Sequence, residues 1–185
     1  MIYIIDNFND HGKIMYDIIK YHTQQDITRI HLLNEIPTFE LYALFTNLFD
    51  LVLDNDIIYI PWQKEKDYYL DMLATKLSTK CWVVASAGNA NQDIENFSPT
   101  SANGVYAVGA LNKSLVKASH SNYSSNNMQW IIGTNYTVND STHNGTSISA
   151  AIYTAFLANA IIENDLRLVE QQIAQYHLKN GINKV

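Results

Sequence analysis

The first half of the chain alternates short apolar runs with stretches whose apolar residues recur at helical spacing, and this alternation constrains the fold more than any other feature. Ile2-Tyr3-Ile4-Ile5 is an apolar run that stops at Asp6, as a buried strand does. Asn7-Phe8-Asn9-Asp10 has turn chemistry, with Asp10 placed to cap a helix. Residues 11–21 carry Ile14, Met15, Ile18 and Ile19 as one helical stripe. Residues 27–33 read as a second strand, broken by Asn34-Glu35-Ile36-Pro37. Thr38 can cap a helix running to about residue 53, with Leu41, Leu44, Phe45, Leu48 and Phe49 for packing. Ile57-Ile58-Tyr59-Ile60 is a third strand. Residues 64–79 read as a third helix, with Tyr68, Tyr69, Met72, Leu73 and Leu77 inward, and residues 81–85 as a fourth strand. The order β-α-β-α-β-α-β implies an α/β fold: a doubly wound, mostly parallel sheet between two helical layers, joined by right-handed crossovers.

In such sheets, sites form outside the carboxyl ends of the strands. Asp6 and Asn89 both fall at strand carboxyl ends, and His11 opens the helix after the first strand. Topology alone therefore brings three polar side chains to one edge.

The second half is more irregular. Residues 90–103 read as loop, 105–108 as a short strand leading to Gly109-Ala110, and 113–127 as polar surface loop. Trp130-Ile131-Ile132 is a candidate strand, and residues 133–144 read as irregular. A helix follows from Ser147 to about residue 163, packing through Ala150, Ala151, Phe156, Leu157 and Ile161, and an amphipathic helix spans residues 166–178. The sequence has no internal repeat and no linker, so residues 1–185 are expected to form one domain.

Several function classes are disfavoured. A net charge of -6 without a basic stripe argues against nucleic acid as a partner. No run of 18 apolar residues exists, which argues against a membrane span. The first strand starts almost at Met1 and Asp6 interrupts any apolar leader core, so neither a signal peptide nor a propeptide is expected, and a cytoplasmic location is. Cys81 is the sole cysteine, which fits a reducing compartment, and it reads as a small buried hydrophobe. The Asn-x-Ser/Thr triplets at Asn112, Asn122, Asn135, Asn139 and Asn144 are expected by chance in an Asn-rich chain. The histidines show no helical metal-ligand spacing, so neither a metal nor a cofactor is expected.

Asn144-Gly145-Thr146-Ser147 lies where the irregular segment gives way to an apolar helix. A serine in a first helical turn has its hydroxyl beside free N–H groups and the positive end of the helix dipole. That suits a nucleophile whose reaction develops an oxyanion. An N-cap role for Thr146 or Ser147 explains the same residues. Asp6 reads either as a catalytic carboxylate or as a turn residue. His11 reads either as a base or as a surface histidine, with Asp10 a rival carboxylate nearer in sequence. Ser149, two positions further along the helix, points away from Ser147. His143 reads as loop or as a border of the leaving-group side.

Six blocks in order resemble the subtilisin-like serine proteases (subtilases): Ile4-Ile5-Asp6, His11-Gly12, Val83-Val84-Ala85-Ser86-Ala87-Gly88-Asn89, Val105-Tyr106-Ala107-Val108-Gly109-Ala110, residues 118–124, and Asn144-Gly145-Thr146-Ser147. The likeness spans nearly the whole chain and implies a subtilisin-like fold. It also implies Ser147 as nucleophile, His11 as general base, Asp6 as its orienting carboxylate and Asn89 as oxyanion donor. Asn34, Glu35, Ile60, Trp62, Ser86, Ala87 and Gly88 would then contact substrate. Asp6 is followed by Asn7-Phe8 where the family has Ser/Thr-Gly, and the Asp-to-His connection is only a short turn. Lys13 stands for the Thr after His-Gly, and Ala151 for the Pro after the serine. Where the family has a Ser-Leu-Gly edge that pairs with substrate, the third strand ends Ile60-Pro61-Trp62-Gln63. Pro61 offers no N–H there, and Trp62 can line or block a subsite.

The resemblance implies a serine endopeptidase, expected to be of narrow specificity and to meet a peptide or protein substrate and a regulatory protein partner. A catalytically silent peptide-binding or scaffold module is the alternative, favoured by the altered Asp block and substrate edge. Acyl transfer to an amine would use the same residues with water kept out. No Asp-rich loop resembles the structural calcium sites of the family.

Overall fold

The structure, a computed structural model, describes residues 1–7, 10–33, 36–126, 128–138 and 140–181. In chain order the elements are β1 (Ile2–Asp6), α1 (Asp10–His22), β2 (Ile27–His31), α2 (Thr38–Leu51), β3 (Ile57–Ile60), β4 (Lys64–Glu65), α3 (Tyr68–Ser78) and β5 (Trp82–Ser86). There follow a 3-10 turn (Ile94–Asn96), β6 (Phe97–Ser98), β7 (Val105–Leu111), β8 (Gln129–Ile132), β9 (Tyr136–Val138), β10 (Ser141–His143), α4 (Thr146–Ile162) and α5 (Arg167–Asn180).

Six strands form one sheet in the order β2-β1-β3-β5-β7-β8, with every neighbouring pair parallel. Side chains alternate across a strand, and here both faces are apolar. Ile2, Ile4, Ile57, Tyr59 and Val84 point to a core shared with α1, α4 and α5. Tyr3, Ile5, Ile58, Ile60, Val83 and Ala85 point to a second core shared with α2 and α3. Burial on both sides is why these strands are continuous apolar runs instead of alternating ones. The fold is therefore the expected three-layer α/β arrangement.

The alternation also places the first functional candidate. Asp6 shares its face with Ile2 and Ile4, the side covered by α1 and α4. Its backbone is anchored at the strand end, where its carbonyl accepts from Leu32 N–H at 2.9 Å.

α4 is buried nearly all round, from Thr146 through Ala158. Ala150, Ala151, Ala155 and Ala160 have no exposed surface. Small residues let this helix lie close against the sheet and against α1 and α5, and a helix apolar on every side belongs inside a protein.

The second half and the third helix differ from the expectations. α3 begins at Tyr68, not residue 64, because Asp67 caps it by accepting from Leu70 N–H at 3.1 Å. Lys64–Glu65 instead pairs antiparallel with β6. Leu70, Leu73, Ala74 and Leu77 face inward, whereas Tyr68, Tyr69 and Met72 are exposed. Thr38 is the first residue of α2; Pro37 occupies the cap position and no side chain caps there. Residues 133–144 include the β9–β10 hairpin. Gly145 holds the cap position of α4, so neither Thr146 nor Ser147 does.

Candidate active site

α1 starts soon after β1 ends, and Gly12 lets it sit close against Asn7. A Cβ on Gly12 would lie 2.6 Å from the Asn7 carbonyl oxygen and 3.3 Å from Asp6 Oδ2. With only hydrogen there, His11 folds back over the end of β1. Its Nδ1 lies 2.8 Å from Asp6 Oδ2 and its Nε2 3.1 Å from Ser147 Oγ. Asp6 is buried, and its Oδ1 accepts from Asn7 N–H at 2.8 Å. With both Asp6 oxygens accepting, the His11 proton sits on Nδ1, and Nε2 is left to accept from the Ser147 hydroxyl.

The start of α4 is tied to two strand ends. Asn89 Oδ1 accepts from Thr146 N–H at 3.0 Å, and Thr146 Oγ1 accepts from Gly88 N–H at 2.9 Å. The backbone donor fixes which way the Asn89 amide faces and leaves its Nδ2 as the donor end. A Cβ on Gly145 would stand 3.4 Å from Ser147 Oγ and 3.6 Å from Asn89 Nδ2, so hydrogen alone lines the space between hydroxyl and amide. Ser147 N–H, in the first helical turn, has no intrahelical acceptor. From below, the Tyr59 hydroxyl donates to the Ser147 carbonyl at 2.7 Å. Burial, and then the Asp6 charge, push the Tyr59 phenol well above its usual range, which keeps it a donor.

Two positioning residues escaped the sequence reading. Tyr59 appeared there only as a strand residue; its signal is a phenol in an otherwise aliphatic buried run, which must find an acceptor. Asn122 is fully buried and organises residues 87–92. Its Oδ1 accepts from Ala90 and Gln92 N–H, each at 3.0 Å, and its Nδ2 donates to the Ala87 carbonyl at 2.8 Å and to Gln63 Oε1 at 3.4 Å. It falls within the block 118–124, but nothing there marks Asn122 as the residue that is buried.

The residues expected to meet substrate are placed unevenly. Asn34 and Glu35 lie outside the described residues. Ile60 is fully buried in the second core and presents no side chain to a ligand. Trp62 donates from Nε1 to the Ile5 carbonyl at 2.8 Å and lines a pocket of about 340 Å³ with Asp6, Leu32, Ile36 and Leu41. Ser86, Ala87 and Gly88 are committed internally. The Ser86 carbonyl accepts from Thr100 Oγ1 at 3.0 Å. Ala87 N–H donates to Val108, and the Gly88 carbonyl accepts from Asn122 N–H, both at 2.9 Å.

Ser149 Oγ donates to the Ile131 carbonyl at 2.9 Å and is fully buried, apart from this site. His143 lies in β10, and Asp10 is the exposed first residue of α1. The Cys81 thiol is pushed up to about 12 by burial and by Asp56. Among the described residues, no group of three or more His, Cys, Asp or Glu could hold a metal ion. Nor, among them, is any helix long and apolar enough to cross a membrane.

No protein-family model and no curated protein matches the sequence. Among solved structures the chain is similar to a cold adapted subtilisin-like serine proteinase, at a TM-score of 0.78 and 18% identity, covering 100% of this chain and 83% of that one. The likeness is one of fold: a six-stranded parallel sheet flanked by helices, in the subtilisin-like arrangement.

Proposed function

We propose that this chain is a subtilisin-like serine endopeptidase that hydrolyses peptide bonds through Ser147. The observation that carries this reading is the unbroken line from Asp6 through the His11 ring to Ser147 Oγ, at 2.8 and 3.1 Å, ending beside the Asn89 amide. In the first half-reaction His11 Nε2 takes the Ser147 proton as Oγ attacks the peptide carbonyl carbon. The oxyanion that forms is held by Asn89 Nδ2 and Ser147 N–H. His11 then gives its proton to the departing amine, leaving an acyl-serine, and a water repeats the sequence to release the acid. Asp6 fixes the ring and stabilises the imidazolium, while Tyr59, Thr146 and Asn122 act as positioning residues.

Labelling with a fluorophosphonate serine probe tests this, with wild type beside Ser147→Ala. Wild type is expected to label and the variant not to. A folded wild type that stays unlabelled refutes the protease reading. It would favour a silent peptide-binding module, a second reading supported by the internal commitment of Ala87 and Gly88 and by Gln63, whose side-chain amide occupies the place a Cβ on Gly88 would take.

A further inference from the structure

The three substituents of a peptide carbonyl carbon poised at Ser147 Oγ have separate destinations. The oxygen goes to Asn89 Nδ2, and the nitrogen goes toward His11 Nε2, which must protonate it. The Cα of the acyl-side residue is left the third direction, away from β1 and α1. In the sheet order that direction lies over the carboxyl ends of β3 and β5. Gly88, the residue before Asn89, follows β5 there, and its N–H donates to Thr146 Oγ1 beside Ser147 at 2.9 Å.

That surface is already occupied. Gly88 has φ +98, and a Cβ on it would overlap Cδ, Oε1 and Nε2 of Gln63. Gln63 follows β3 and lays its amide flat on the glycine. Its Oε1 is held by Asn122 Nδ2 at 3.4 Å, the same amide that holds the Ala87 carbonyl at 2.8 Å. The contact is therefore built in from three directions: a glycine with no side chain to compete, a buried asparagine as clamp, and the strand end that delivers Gln63.

Building on the protease reading, we propose that Gln63 sets the substrate class by filling the space an acyl-side side chain would need. The site then cleaves after glycine and rejects bulky residues at that position. Exclusion works through occupied volume: a larger side chain must displace the amide and break its bond to Asn122, whereas glycine displaces nothing.

The test uses two fluorogenic peptide amides that differ only in the acyl residue, glycine or phenylalanine, with fluorophosphonate labelling run in parallel. Wild type is expected to favour glycine in kcat/KM by at least about 10-fold, the scale on which pocket shape discriminates. Gln63→Gly is expected to shift the phenylalanine-to-glycine ratio upward by about 100-fold, within the same range. Gln63→Ala, which restricts the backbone more than glycine, should shift it in the same direction. Labelled enzymes whose ratio is the same in wild type and both variants overturn the role of Gln63 alone. So does a labelled wild type that prefers phenylalanine. Absence of labelling in wild type and variants overturns the protease reading and this inference with it.

Discussion

Gly12→Ala is the sharpest probe of how the backbone builds the site. The added methyl would stand 2.6 Å from the Asn7 carbonyl oxygen, about 0.8 Å inside ordinary contact. Neither partner is a flexible side chain: one is the α1 backbone and the other is the Asn7 backbone. Relief must therefore move the start of α1, which carries His11, away from Asn7 and the end of β1, which carries Asp6. Stretching the 2.8 Å Asp6–His11 contact by that amount takes it to about 3.6 Å, beyond a hydrogen bond. A misplacement of about 1 Å costs on the order of 100-fold in rate. Stability should change less: alanine gains up to ~1 kcal/mol of helix propensity, against ~1–3 kcal/mol for overpacking. The expected variant is folded, melts within a few degrees of wild type, and reacts about 100-fold more slowly with the fluorophosphonate probe. Second-order labelling rates beside thermal melts measure both. Labelling within about threefold of wild type, far short of the rate loss expected for a 1 Å misplacement, would refute the reasoning, since it would mean that the Asn7 backbone yields without disturbing His11.

Two more expectations follow from the geometry. Asp6→Asn leaves the packing but offers His11 Nδ1 an amide in place of an acceptor-only carboxylate, and labelling and turnover are expected to fall by about 10⁴ with the melting curve nearly unchanged; a loss under tenfold would show that Asp6 does not govern the ring. His22 is lowered to about 4, first by burial and then by Lys179. The unfolded chain takes up that proton below about 6.5 while the folded chain does not, so this contribution is complete above that pH and is lost as pH falls toward 4. Urea midpoints at pH 7 and 4.5 should fall more for wild type than for His22→Phe, and equal falls would exclude His22 as the cause.

The α/β layering was legible because a strand buried on both faces must be a continuous apolar run and a helix on its surface must show a stripe. Both signals are strong over residues 2–60. α3 misled because Tyr68, Tyr69 and Met72 are large, yet Leu70, Leu73, Ala74 and Leu77 hold a stripe of their own at helical spacing. Size drew the eye where spacing decided the face. The β9–β10 hairpin was invisible because Tyr136–Val138 and Ser141–His143 are each only three residues long and mostly polar. At the site, the residues read from chemistry-bearing blocks, Asp6, His11, Asn89 and Ser147, are neighbours in space. The residues that orient them were not readable. Tyr59 meets Ser147 across 88 positions and Asn122 meets Ala87 across 35, and single-chain patterns do not encode such pairs. The contact of Gln63 with Gly88 is of the same kind: its sequence trace is only a glutamine after a proline and a tryptophan.

The burial of α4 bears on the life history of the chain. His11 and Ser147 are 136 positions apart, and a ribosome delivers the first long before the second. Buried from Thr146 through Ala158, α4 gains its stability chiefly from the sheet and the helices around it. On the protease reading, a nascent or half-folded chain thus carries an ordinary alcohol, and the hydroxyl is armed only when the last layer closes. Reactive hydroxyls counted with a covalent titrant should therefore equal finished molecules, making the site a gauge of its own folding yield.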